Sequence, residues 1–431
     1  MDKVKTERTW IVVFVACFLG LLVDGMDLIM LSITLPSLME EFNIDKIQAG
    51  FIATWSLVGM AVGGIAGGWL SDRFGRVKMA TWMMVLFSIG TCLLGFAQTY
   101  DQFIVIRFIA AIGMGAEYTI MTMLMAEYVP TKKRTTVLGT IQAAYSLGYL
   151  VAALLAGAIL PAYGWRPLYF IAIIPVVLAL YIRHKIPEPE GWKERAQAKK
   201  QEGNKNEWTT IFKEPKTRKI FIFWALTATF LQFAYYGVGT WLPTYIVTDL
   251  GFDFKQMTGY LVGTYAAAIL GKVLAGWLAD RYGRKTMFLV GGFSTAILLP
   301  IVYLYNSPTN IILLLTILGF LYGIPYAVNA TYMNESFPTH IRGTAVGGSY
   351  NVGRIGSAMA PVLIGLIAQY QSIGYGLATL GIAYVLSAVI PALFIREKMY
   401  DPFENKENID TEEKENSTAE RKENAIEIKT M

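Results

Sequence analysis

Charge is scarce in this sequence. Of its 431 residues 16% are Asp, Glu, Lys or Arg and 54% are hydrophobic, and the charges gather between long apolar runs. That composition excludes a soluble globular domain. Histidine is nearly missing: His184 and His340 both fall in connections between the runs, which excludes a histidine-built metal site or a catalytic triad. Cysteine is nearly missing too. Cys17 and Cys92 lie inside apolar runs, where a thiol packs as a small apolar group and indicates neither a bridge nor a metal. No nucleophile, metal-ligand cluster or phosphate loop stands among the polar residues of the runs, so the chain is not read as an enzyme and no cofactor is expected.

What is present is twelve runs of about 20 apolar residues, each long enough to cross roughly 30 Å of hydrocarbon as a helix that satisfies its own backbone. They occupy residues 10–35, 46–70, 78–98, 102–128, 137–160, 166–183, 218–247, 256–279, 287–306, 309–333, 342–369 and 373–395. The first is longer than the apolar stretch of a signal peptide and is followed by no small-residue cleavage site, so it is expected to be retained. The fold class is therefore an all-α polytopic membrane protein of twelve transmembrane helices in two six-helix repeats. The expected organisation is an N-terminal bundle over 1–183, a cytoplasmic linker over 184–217, a C-terminal bundle over 218–395 and a disordered cytoplasmic tail over 396–431. Linker and tail are too polar to bury a core.

Basic residues mark the cytoplasmic side. With both termini inside, about 31 of the 37 Lys and Arg fall in cytoplasmic connections, about three outside (Lys46, Arg166, Lys255) and about three within spans (Arg107, Lys272, Arg354). This places the protein in the cell's inner membrane with both ends cytoplasmic. The net charge of +5 then reflects loops facing anionic lipid and not a nucleic-acid partner.

Sliding the second half back by 208 positions exposes an internal repeat. Gly68-Trp69-Leu70-Ser71-Asp72-Arg73-Phe74-Gly75-Arg76 falls on Gly276-Trp277-Leu278-Ala279-Asp280-Arg281-Tyr282-Gly283-Arg284. Glu127, Pro130, Thr131, Arg134 and Gly139 fall on Glu335, Pro338, Thr339, Arg342 and Gly347, and Gly115 with Tyr118 falls on Gly323 with Tyr326. Parallel six-helix repeats of this kind bind a solute near the midplane between halves.

The twin Gly-x-x-x-Asp-Arg-x-Gly-Arg loops resemble the signature of the major facilitator superfamily, over the chain from about residue 10 to 395. Gly68 and Gly276 are expected to let neighbouring helices approach closely, and Asp72 and Asp280 to meet helix N-terminal dipoles. Arg73, Arg76, Arg281 and Arg284 offer forked donors to Glu127 and Glu335. The resemblance implies a cytoplasmic gate that ties the ends together when the carrier faces outward. The plainer alternative is that these charges only anchor topology.

Ionisable groups inside the spans point to the site, because a bilayer tolerates them only for a reason. Asp24 and Asp27 share one face of the first span. Two such carboxylates resist ionising together in a low dielectric, which makes the pair a candidate proton carrier. Glu117 lies deep in the fourth span and requires a partner or a proton. Arg107, about 280° from it on the helical wheel, either contributes to the same chemistry or snorkels to the outer headgroups. Arg354, near the midplane, needs a counter-ion that suits a planar guanidinium. That counter-ion is either a substrate carboxylate or a permanent internal acid such as Asp24, Asp27 or Glu117. Lys272 is read as structural, within reach of headgroups or a neighbouring helix. Tyr118, Tyr236 and Asn351 complete the candidate substrate site.

Asp24-Gly25-Met26-Asp27 resembles the first-span motif of aromatic-acid:proton and sialate:proton symporters. Trp165-Arg166 with Ile186-Pro187-Glu188 is similar to the sialate branch, and Gly353-Arg354-Ile355-Gly356 to the aromatic-acid branch. Together these imply proton-coupled uptake of a small organic anion by a monomer, the cargo being an aromatic or other monocarboxylate or a sugar acid. Two alternatives stand beside it: a drug or metabolite:proton antiporter that exports solutes, and a transporter-like membrane sensor.

Overall fold

A computed structural model of the chain describes residues 2–128, 134–175, 177, 186–188, 207–307, 309–337 and 341–396, without the side chains of 2–9, 72, 126–127, 134–143, 207–208, 210 and 342–343. The first half holds α1 (Asp2–Glu41), α2 (Lys46–Phe74), α3 (Arg76–Leu94), α4 (Tyr100–Tyr128), α5 (Arg134–Tyr163) and α6, seen over Arg166–Phe170. The second holds α7 (Pro215–Thr244), α8 (Phe254–Tyr282), α9 (Arg284–Leu304), α10 (Ile311–Ser336), α11 (Arg342–Tyr370) and α12 (Ile373–Phe394). Eleven of these are long and apolar enough to cross a membrane among the described residues. Of the expected sixth span, 166–183, residues 166–175 and 177 are described; the rest of it lies outside the described residues, as do most of the linker and the tail.

The 208-residue repeat is a structural repeat down to its caps. Asp45 accepts from the Gln48 N–H, and Gln48 returns a bond to the Asp45 N–H. Asp253 and Gln256 do the same. These capping boxes start α2 and α8 by satisfying two orphan donors each. At the other end, Gly75 and Gly283 take φ of 108° and 96°, which a side chain would strain. α2 and α8 thus begin at an aspartate-cap end and finish at a glycine-turn end.

Packing repeats as well. α2 lies on α4 and α1 on α5, as α8 lies on α10 and α7 on α11. A Cβ on Gly63 would come 1.9 Å from the Ile112 carbonyl oxygen, and one on Gly271 would come 2.0 Å from that of Phe320, the same contact one repeat later. Small residues let backbones approach this closely. Gly68 and Gly276 do not serve this purpose: Gly68 would meet only Thr119 at 3.9 Å and Gly276 nothing within 4 Å. The close crossing sits at Gly63 and Gly271, roughly 7 Å along the helix from the motif glycines.

The halves meet through α2 on α11 and α5 on α8, the two copies of one interface, with α1 against α7 between them. Towards the aspartate-cap end the contact is tight: Thr54 Oγ1 donates to Ala358 O at 2.6 Å, and Lys46 Nζ to Ala368 O at 3.2 Å. At that same end Trp165 Nε1 and Arg166 Nη1 donate to Glu41 at 2.6 and 2.8 Å, so the Trp165-Arg166 motif clamps the start of α6 to the end of α1. Outward-pointing side chains such as Ile65, Leu270, Ile297 and Ile382 are exposed and apolar, as lipid contact requires.

Two elements depart from the expected spans. α10 breaks at Gly323, where Ile311–Tyr322 hands over to Ile324–Ser336 and Pro325 withholds a backbone donor. α7 runs on past Pro243 through a wide turn over Tyr245–Asp249.

Candidate functional site

The acids expected to act as a pair are divided. Arg107 Nη1 lies 2.6 Å from Asp27 Oδ2, both groups are essentially unexposed, and Arg107 Nε donates to Ser56 Oγ at 2.9 Å. Arg107 therefore does not snorkel: α1 and α2 converge on α4 and turn the guanidinium inward, where an acid neutralises it. Asp24 has no such partner. It is fully buried, makes no ion pair among the described residues, and both its carboxylate oxygens lack a hydrogen bond. Glu117 is its neighbour. A Cβ on Gly20, one turn before Asp24, would come 2.8 Å from Glu117 Oε1, and the charges that bear on Asp24 are Glu117, Asp27 and Arg354. Glycines hold this corner together. A Cβ on Gly25 would come 2.3 Å from Tyr145 O and one on Gly148 2.1 Å from Leu22 O, so α5 seals α1 at the Asp24-Gly25 step.

Across the molecular axis the charge changes sign. Arg354 is 7% exposed, makes no ion pair among the described residues, and its Nε has no hydrogen-bond partner. The internal acids therefore do not neutralise it at contact range: Asp27 is held by Arg107, and neither Asp24 nor Glu117 makes an ion pair with it. Around the guanidinium stand Tyr118, Tyr236, Tyr326 and Tyr350. The Tyr326 and Tyr350 hydroxyls bond each other. Gln232 Nε2 donates to Tyr350 O at 2.9 Å, which pins α11 to α7 one turn before Arg354. Gly347, two turns before Arg354 on the same face, would meet nothing within 4 Å, so the space beside that face is open towards the glycine-turn end. Asn351 is less central: its Nδ2 is tied to Gly347 O at 2.8 Å, and its Oδ1 sits 3.6 Å from where a Cβ on Gly64 would be, at the α2–α11 interface.

Lys272 does not reach for headgroups. Its Nζ donates to Ser146 Oγ of the other half at 2.9 Å and to Tyr235 Oη at 3.2 Å. Among the described residues it has no carboxylate partner. The repeat held a signal for this placement. Subtracting 208 puts Lys272 on Gly64 and Arg354 on Ser146, while adding it puts Asp24 on Gln232, Asp27 on Tyr235 and Glu117 on Pro325. Scaffold positions are alike in the two halves; chemical positions are not. The first half carries the acids and the second the unpaired cations.

Among the described residues, part of the expected gate is brought together. Arg284 Nη2 lies 2.8 Å from Asp280 and 3.2 Å from Glu335, joining the ends of α8 and α10 within one half. Arg76 Nη1 meets Met123 Sδ at 3.1 Å. Arg73 lies over Trp69 and Phe74, and Arg281 over Trp277 and Tyr282, at 5.5 to 5.8 Å from the ring centres, so both cover aromatic surface of their own helix. The side chains of Asp72 and Glu127 lie outside the described residues. An acid the motif did not indicate caps α3: Glu188 accepts from the Val77 and Lys78 N–H groups at 3.0 and 2.9 Å, where the helix dipole favours a negative charge.

Comparison with known proteins agrees with this architecture. The sequence profile of the Major Facilitator Superfamily matches residues 17–270 and 255–427. A cis,cis-muconate transport protein of Acinetobacter baylyi is 54% identical over 92% of this chain and 97% of its own length. A gentisate transporter of Corynebacterium glutamicum is 31% identical over 88% of this chain and 86% of its own. The crystal structure of a D-xylose-proton symporter superposes with a TM-score of 0.76 at 21% identity, covering 90% of this chain and 98% of the other, which establishes the shared twelve-helix fold.

Proposed function

Because the chain belongs to the Major Facilitator Superfamily, and is a transporter and not an enzyme, we propose that it takes up a small organic anion together with a proton by alternating access. The anion is a carboxylate of the kind named for its 54%-identical relative, cis,cis-muconate. One observation carries the reading: Arg354 is a buried cation with no internal counter-ion at contact range among the described residues. An arginine cannot shed its charge, and a planar fork selects a carboxylate. A visiting anion completes the site.

Asp24 and Glu117 support the proton half of the proposal. Two unpaired acids side by side in a dry bundle hold a proton between them, since charging both at once is costly. Arg107 and Asp27 act as a fixed, mutually neutralised pair that holds α1, α2 and α4 in register. The glycine-turn end is cytoplasmic, because the basic connections cluster there, and the tight Thr54–Ala358 side faces outward. On this reading, with the outer side closed and the Arg354 face open inward at Gly347, the conformation is the releasing form. The carrier works as a monomer in the inner membrane.

The test is uptake of labelled cis,cis-muconate into proteoliposomes with an imposed inward proton gradient. Accumulation above equilibrium that a protonophore abolishes, and that Arg354→Ala removes, is the expected result. Accumulation indifferent to the gradient refutes coupling; normal accumulation by Arg354→Ala refutes the anion site.

A further inference from the structure

Resting on the reading of Arg354 as a carboxylate anchor, we propose that Lys272 is a second anchor, so that the central site holds both ends of a short dicarboxylate dianion, one on each cation. The two residues come from different helices but sit at one depth. Lys272 lies ten residues before the Tyr282 end of α8 and Arg354 twelve residues after the Arg342 start of α11. At about 1.5 Å per residue this is roughly 15 and 18 Å from the glycine-turn end.

Between them stands a tyrosine stack. Lys272 Nζ is 5.4 Å from the centre of the Tyr235 ring, which stacks on Tyr326 at 4.3 Å and 23°. Tyr326 in turn bonds Tyr350, one turn from Arg354, and Tyr236 stands beside the same guanidinium. Flat rings flanked by a cation at either end suit an unsaturated chain with a carboxylate at either end. The stack covers the chain and each cation takes one carboxylate.

Lys272 has the features of an anchor waiting for an anion. Its two hydrogen-bond partners are neutral hydroxyls, and both can be exchanged for carboxylate oxygens without stranding a buried charge. Gly323, at the break in α10, leaves room for its stem: a Cβ there would come 2.9 Å from Lys272 Cε. The bond to Ser146 also gives the second carboxylate a conformational role, because the anion competes for the hydrogen bond by which this lysine holds the first half. A monocarboxylate leaves Lys272 on Ser146; a dicarboxylate draws it away.

The experiment compares binding of cis,cis-muconate with that of sorbate, its six-carbon dienoic monoacid counterpart, to purified full-length protein by calorimetry. Wild type should favour the diacid at least tenfold. In Lys272→Met that preference should fall to within about threefold, and Lys272→Arg should recover most of it. A preference that stays at the wild-type value in Lys272→Met overturns the proposal. So does loss of both ligands by a Lys272→Met protein that keeps its thermal transition, since that outcome makes the lysine a strut between the halves. Should Lys272→Met fail to fold, wild type alone decides: muconate binding no tighter than sorbate rejects a second anchor. Arg354→Ala separates the two readings, for if it binds both acids normally the carboxylate anchor itself is wrong, whatever Lys272 does.

Discussion

Charges inside the expected spans fall into two kinds, and the difference lies in their nearest neighbours. Arg107 and Asp27 cancel each other at 2.6 Å and have no charge left to offer. Asp24, Glu117, Arg354 and Lys272 have no such contact partner among the described residues. Substitutions should divide along the same line. A charge-assisted hydrogen bond contributes ~1.5–3 kcal/mol, so Arg354→Ala should weaken carboxylate binding roughly 10- to 100-fold in calorimetry. Arg354→Lys should recover only part of that, because a point charge does not reproduce the fork. Glu117→Gln and Asp24→Asn should leave substrate counterflow running but make net uptake insensitive to an imposed pH gradient, as read in proteoliposomes. Asp27→Asn should behave differently. It strands the Arg107 guanidinium in an apolar interior, and loss of one partner of a buried pair costs about 3–5 kcal/mol, so lower yield and thermal stability are expected before any transport defect. The sequence showed that each of these charges needed a reason. Which ones shared a reason was not legible, because α1 and α4 lie some 80 residues apart and their rotation about their own axes decides whether Asp24 or Asp27 meets Arg107.

Among the helices, the repeat makes a quantitative forecast possible. The crossings Gly63 on Ile112 and Gly271 on Phe320 are one contact used twice, so Ala at either glycine should cost the same. Forcing a methyl into backbone at 1.9 to 2.0 Å costs about 1–3 kcal/mol where the helices can move apart. Gly63→Ala and Gly271→Ala should therefore each lower the detergent-solubilised melting temperature by a similar amount, whereas Gly276→Ala, with open space around it, should leave it unchanged. Equal tolerance of all three would show that the crossings flex freely. The repeat also accounts for a misplaced expectation. The motif glycines stand out in the sequence because the motif surrounds them, but closest approach is set by where two helix axes cross, and that point falls at Gly63 and Gly271.

Taken whole, the molecule is two copies of one scaffold holding unlike chemistry, with acids on one side of the axis and unpaired cations on the other. On the proposed reading substrate charge and proton charge are bound by different halves, so a change in either would alter the electrostatics of the interface between them. A cross-link checks the motion. In a background with Cys17 and Cys92 replaced by alanine, cysteines at Thr54 and Ala358, where α2 and α11 are joined by a 2.6 Å hydrogen bond, should form a disulfide that stops uptake by at least tenfold and releases it on reduction. Full uptake by the oxidised protein would mean that the α2–α11 contact stays closed throughout the cycle.

Length of apolar run, basic bias of the connections and the 208-residue register determined by themselves that this chain spans a membrane in two related bundles, because hydrocarbon thickness and backbone hydrogen bonding leave a helical sequence few other options. Tertiary structure alone decided that Asp27 belongs to Arg107, that Lys272 turns inward to Ser146 and Tyr235, and that Arg354 has no acid at contact range among the described residues. Those outcomes depend on helix rotation and crossing point, which are set by packing between residues far apart in the chain, and a helix's own periodicity carries no information about which neighbour it will meet.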